Sequence, residues 1–166
     1  MRRRRSELPD AVRSRLEAGA RVLGSTDLAG GGGVVVTTVG LLTWGEEGVE
    51  VDRPWSEVDA AGWDSEAGTI IVTWVDGAPA TSLDVGEGTG VRELAYTIKE
   101  RVDHSLVVLE TVSLPGGGHL RGAVRRNADG SLFSQVTISG VRRPPADVQE
   151  RAAALEERVR AAVGLD

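Results

Sequence analysis

Two periodicities alternate along the chain. Leu8, Val12 and Leu16 recur every fourth residue, with Pro9 in the first turn and Gly19 as a stop, and predict a short helix over residues 9–18. From residue 21 the pattern becomes strand-like. Arg21 to Leu28, Val34 to Thr38, Leu41 to Trp44 and Val49 to Arg53 predict four strands. They are separated by the Ala29–Gly33 loop, a turn at Gly40 and a turn at Gly45–Gly48. Pro54 ends the fourth ladder because it has no N–H to donate. Glu57 to Trp63, Thr69 to Val75 and Ala80 to Val85 predict three more strands, the last two joined through Asp76-Gly77, where glycine accepts the positive φ of a tight hairpin.

The period then changes. Val91, Leu94, Ala95, Ile98 and Val102 predict a helix over residues 90–103, whose apolar stripe must lie on a sheet or across the mouth of a barrel. Leu106, Val107, Val108, Leu109 and Val112 form an apolar run over Ser105–Ser113, which predicts a strand buried on both faces or nearly so. His119 to Arg126 and Ser131 to Ser139 predict a hairpin across Asn127–Gly130. After Arg142-Arg143-Pro144-Pro145, Asp147 and Glu150 have capping-box spacing at the start of a last helix. Its narrow seam is Val148, Ala152, Leu155, Val159 and Val163, fit to dock on its own sheet or on a second copy.

These elements predict an α+β protein in three parts. Residues 1–19 form a basic tail and short helix, residues 20–104 an antiparallel strand barrel or sandwich with a capping helix, and residues 105–166 a β-hairpin plus C-terminal helix, either as a separate unit or as an extension of the same sheet.

The middle part resembles a known family. Val34-Val35-Val36-Thr37-Thr38 running into Leu41-Leu42, then Arg53-Pro54-Trp55-Ser56-Glu57-Val58, then Thr69 to Val75 with its Asp76-Gly77 turn, resemble the pleckstrin-homology-like (PH-like) domains of bacteria. The chain also looks like a group of short uncharacterised actinobacterial proteins that share the proline–tryptophan and Trp63-Asp64 segments. The resemblance covers about half the chain and implies a PH-like fold. It does not bring lipid binding with it. Family members that hold phosphoinositides place lysines and arginines between their first two strands, whereas this chain has Ala29–Gly33 there with Asp27 beside it.

Composition narrows the chemistry. The 166 residues include no cysteine, only two histidines and one methionine, so a disulfide framework, a thiolate metal site and a cysteine nucleophile are excluded, and no metal or cofactor is expected. Met1 and the Arg2–Arg5 run are followed by Ser6-Glu7-Leu8-Pro9-Asp10 where an export signal would need an apolar stretch, and no apolar run approaches the ~18 residues of a membrane helix. A cytoplasmic protein with no membrane partner and an unstructured arginine run is therefore expected. The net charge of −6 is unevenly spread: residues 20–104 carry 15 acidic and 5 basic side chains, whereas residues 119–143 set five arginines against Asp129.

Four motifs invite chemistry. Gly30–Gly33 lacks the Lys-Ser/Thr and helix of a phosphate loop and reads as a hairpin loop. Asp64 and Glu66 pair two carboxylates next to Trp63, but at a strand end beside Ala67-Gly68, where a solvated turn is the simpler reading. Trp44, Trp55, Trp63 and Trp74 supply four of the six aromatic residues, either as core filler or with one or two of them in a protein-binding surface. Strand alternation puts His119, Arg121 and Arg125 on one face, joined by Phe133, Gln135 and Thr137 from the return strand. With Arg142 and Arg143, His119, Arg121, Arg125 and Phe133 are the candidate partner-binding residues; otherwise the face is a solvated one whose arginines pair with the acidic part's carboxylates.

No catalytic constellation emerges, so the first functional expectation is a non-enzymatic protein-interaction module that binds another protein or self-associates as a homodimer. The alternative is a nucleic-acid-binding accessory protein using Arg121, Arg125, Arg126, Arg142, Arg143 and the N-terminal arginines, against which the overall acidity weighs.

Overall fold

The structure, a computed structural model, describes residues 7–166; the expectation for the arginine run at 2–5 lies outside the described residues. The chain divides into two compact units, the first ending at Val102 and the second running from Asp103 to Asp166.

The first unit opens with α1 (Asp10–Arg13), followed by β1 (Val22–Asp27), β2 (Gly33–Thr37), β3 (Gly40–Gly45) and β4 (Gly48–Pro54). A 3-10 turn, Trp55–Glu57, leads to β5 (Val58–Asp64), β6 (Thr69–Trp74), β7 (Thr81–Asp84) and α2 (Thr89–Ser105). The strands form two antiparallel sheets, β1-β2-β3-β4 and β5-β6-β7, and neither closes into a barrel.

The two sheets share one core. Val34, Val36 and Leu41 from the first pack in one cluster with Val58, Ile70, Val72 and Leu83 from the second and with Val91, Leu94, Ile98 and Val102 of α2. Each such side chain contributes about 1.5–3 kcal/mol on burial. The helix supplies the stripe its spacing predicts. The valine run of β2 is buried throughout because alternation sends Val35 to the opposite face. There it meets Leu42 and Trp44 of β3 and Val12 of α1. Helix α1 is shorter than the predicted 9–18, and i→i+3 bonds from Arg15 to Val12 and from Leu16 to Arg13 continue the chain as turns.

Two of the sequence motifs act as structural parts. The Trp55 indole is buried and donates to the Thr37 carbonyl at 2.9 Å, tying the 3-10 turn to the end of β2. The Thr37 hydroxyl accepts from the Val39 and Gly40 amides and so builds the β2–β3 turn. The glycine loop is closed by the Leu28 amide on the Gly32 carbonyl. At Gly32, φ is 70° and a Cβ would collide with the Trp44 carbonyl, so only glycine fits.

The second unit is a three-stranded antiparallel sheet of β8 (Leu106–Ser113), β9 (His119–Arg126) and β10 (Leu132–Ser139), with β9 in the centre, followed by α3 (Val148–Ala161). The predicted hairpin forms in full register, Leu132 opposite Arg126 through Ser139 opposite His119. One face of the sheet carries Leu120, Val124 and Val136, and α3 lies on it through Leu155 and Val159. Leu155 sits over Gly122, where a Cβ would fall 2.6 Å from the leucine Cγ.

Two local expectations are corrected. Strand β8 is not buried on both faces: it is an edge strand, half-buried to exposed along its length, with Leu109 43% exposed. A continuous apolar run does not by itself distinguish a central strand from an edge. The capping box at α3 does not form, because Asp147 makes no side-chain cap and instead bonds Arg151 at 2.9 Å. The α3 seam, read as fit for a second copy or for its own sheet, packs on its own sheet.

Candidate interaction site

The register of the second unit's sheet brings four predicted residues to one face: His119 opposite Ser139, Arg121 opposite Thr137, and Arg125 opposite Phe133. Their availability differs. Arg125 is 2% exposed, and its Nε donates to Gln135 Oε1 at 3.1 Å. A guanidinium so enclosed is a structural group, which removes Arg125 from the reach of a partner. Arg121 and Phe133 are half-buried. His119 is half-buried too, with Nε2 lying 3.0 Å from Ser139 Oγ. Arg142 and Arg143 are exposed but belong to the segment after β10, outside the paired strands. Arg126 donates to the His104 carbonyl at 3.0 Å. The basic hairpin is thus no continuous row of presented cations.

Other sequence motifs resolve into structural roles. Asp64 Oδ1 accepts from the Glu66 and Ala67 amides, both at 3.0 Å, and so builds the β5–β6 turn. Arg53 is the electrostatic hub of the first unit. It bonds Glu57 at 2.6 Å and Asp76 at 2.7 Å, and its guanidinium carbon lies 4.4 Å from the centre of the Trp74 ring. Burial disfavours the charge on Arg53, but the bonds to Asp76 and Glu57 outweigh it and raise its pKa. The Arg53 bond, helped by the Ala78 amide, holds the Asp76 carboxyl below its ordinary 3.8. Among the described residues, no group of three or more histidines and acids could hold a metal.

Of the four tryptophans, Trp44, Trp55 and Trp74 are buried. Trp63 is the exception. It is half-buried against the first unit's core and lines a pocket of about 190 Å³. Strand β5 supplies Ala61, Gly62 and Trp63 to this pocket, β6 supplies Ile70, and α2 supplies Arg92, Ala95, Tyr96 and Lys99. Strand β5 is the edge of its sheet. The helical residues recur at i, i+3, i+4 and i+7, so they share the flank of α2 beside its core stripe.

Three features set the pocket apart from a packing gap. Tyr96 is 72% exposed, the most exposed large apolar side chain among the described residues. The Trp63 indole N–H is buried and has no acceptor among the described residues, a costly state for a polar group. Arg92 is exposed at the rim and, with Lys99, supplies the pocket's only charges.

Trp63 stands out in the sequence as a candidate for a tryptophan surface, but no local pattern joins it to the α2 residues that complete the pocket. The available signal was Tyr96, an aromatic residue off the helix's core stripe, flanked by Arg92 and Lys99 at helical spacing.

No helix among the described residues is long and apolar enough to cross a membrane. No family model, curated protein or solved structure matches this chain.

Proposed function

We propose that the chain is a non-enzymatic protein-interaction module with a PH-like core, working in the cytoplasm, and that the pocket between β5 and α2 is its binding site. The PH-like reading is supported by the order of four strands, three strands and a helix, with both sheets and the helix contributing to one core. The observation that carries the interaction reading is the convergence of Trp63, Arg92 and Tyr96 on one pocket. These are the three residue types that dominate binding energy at protein interfaces. The volume of about 190 Å³ argues in the same direction. Pockets for small molecules usually run to about 300–1,000 Å³, whereas this one has room for roughly one side chain.

The test is site-specific photo-crosslinking in native lysate. A photoreactive phenylalanine analogue at position 96 is expected to give a discrete protein adduct that excess unmodified protein competes away. The same analogue at exposed Thr111, in β8 of the second unit, is expected to give none. Equal adducts at both positions, or none at 96, would remove the pocket from the function.

A further inference from the structure

The charges around the pocket point to the chemistry of its occupant. Residues 20–104 carry 15 acidic and only 5 basic side chains, yet both charged residues lining this pocket are basic. The segregation follows helical geometry. Arg92 and Lys99, seven residues apart, fall on the pocket flank of α2 with Tyr96 between them. Glu93 and Glu100, also seven apart and each one residue further along, fall on another flank, where Glu100 lies 3.8 Å from Arg101. Arg92 therefore presents a cation beside an apolar cavity in an otherwise acidic unit.

From these placements, and resting on the interaction reading above, we infer that the pocket takes one aromatic side chain of a partner protein, flanked in the partner's sequence by carboxylates. The ring occupies the cavity against Trp63 and Ile70, with the Tyr96 ring at its side. The flanking carboxylate meets Arg92 at the rim, where a planar guanidinium can bond it through two N–H groups. The unit's net negative charge opposes an acidic partner at long range. That repulsion is screened beyond about 8 Å at physiological salt, while the contact with Arg92 is not. The local cation thus decides selectivity once the ring is seated.

Isothermal titration of the full chain with three capped tripeptides tests this: Ac-Asp-Phe-Asp-amide, Ac-Asp-Ala-Asp-amide and Ac-Lys-Phe-Lys-amide. The phenylalanine peptide with aspartates is expected to bind at least about tenfold more tightly than its alanine counterpart, the effect of one buried ring. It should also exceed the lysine peptide by about threefold to tenfold, as one partly exposed ion pair and one relieved repulsion predict. Arg92→Glu, at an exposed position, should invert the preference between the charged peptides, and Arg92→Gln should level it. Equal or tighter binding of the lysine peptide to the native protein overturns the acidic-partner inference and leaves the pocket intact. Equal binding of the phenylalanine and alanine peptides, or no binding of either below about 10 mM, overturns the pocket itself.

Discussion

Helices α2 and α3 solve the same problem with different residues. Each follows antiparallel strands, and each buries an apolar stripe in the core of its own unit. In α3 the seam packs against its own sheet: Leu155 is 0% and Val159 1% exposed, with Leu155 over Gly122, and Val148, Ala152 and Val163 are half-buried beside them. The neighbouring polar residues tie down as well, with Ser134 donating to Glu156 at 2.6 Å and Arg158 to Glu110 at 2.8 Å. In α2 the core stripe is equally buried, but the flank beside it carries Tyr96, a large ring with 72% of its surface open. Core packing accounts for every large apolar residue of α3 and leaves Tyr96 unexplained. A side chain that folding does not require is where binding is best sought.

Changes at the closed helix should have the largest effects on stability. Leu155→Ala should cost about 2–5 kcal/mol, since the leucine is fully buried and leaves a cavity over a glycine. Hydrogen exchange should show the loss in β8–β10 while β2 and β3 keep their protection. Loss of protection in both units alike would mean that they do not respond separately.

Two of the first unit's four tryptophans give a sharper comparison. Trp55→Phe removes the donor to the Thr37 carbonyl, whereas Trp63→Phe removes a donor that has no acceptor among the described residues. Denaturant titration should find Trp55→Phe more destabilising than Trp63→Phe by about 1–3 kcal/mol, the cost of orphaning a buried carbonyl. At the open helix, Tyr96→Ser should change stability by no more than about 0.5 kcal/mol while abolishing any binding at the pocket.

The smallest effect is expected in acid. The folded-state pKa of Asp76 lies below the ordinary 3.8, so its contribution is fully present above that value and is lost as pH falls through the lower folded pKa. Asp76→Asn should lower stability at neutral pH and flatten the acid limb of the first unit's unfolding curve. An unchanged acid limb would show that the Arg53 cluster contributes nothing to it.

Much of the fold was legible because its signals are local. The β2 valines, the Asp76-Gly77 turn and the α2 stripe each fix their element through alternation, glycine geometry or helical period. Burial was harder to read, because it depends on which strands pair. The Ser105–Ser113 run looks like a central strand and is an edge, and Arg125 looks like a surface cation and is almost wholly enclosed. The pocket was least legible. It joins residues 61–63 to residues 92–99, and no sequence period spans that separation.

The central claim, that the first unit's open helix flank is the binding site, is tested most directly by the 1H–15N spectrum of the full chain titrated with Ac-Asp-Phe-Asp-amide. The predicted result is a set of saturable shifts at Ala61–Trp63 and Arg92–Lys99 that includes the Trp63 indole N–H. Shifts confined to the His119–Ser139 hairpin, or no shifts at the highest peptide concentration, would contradict it.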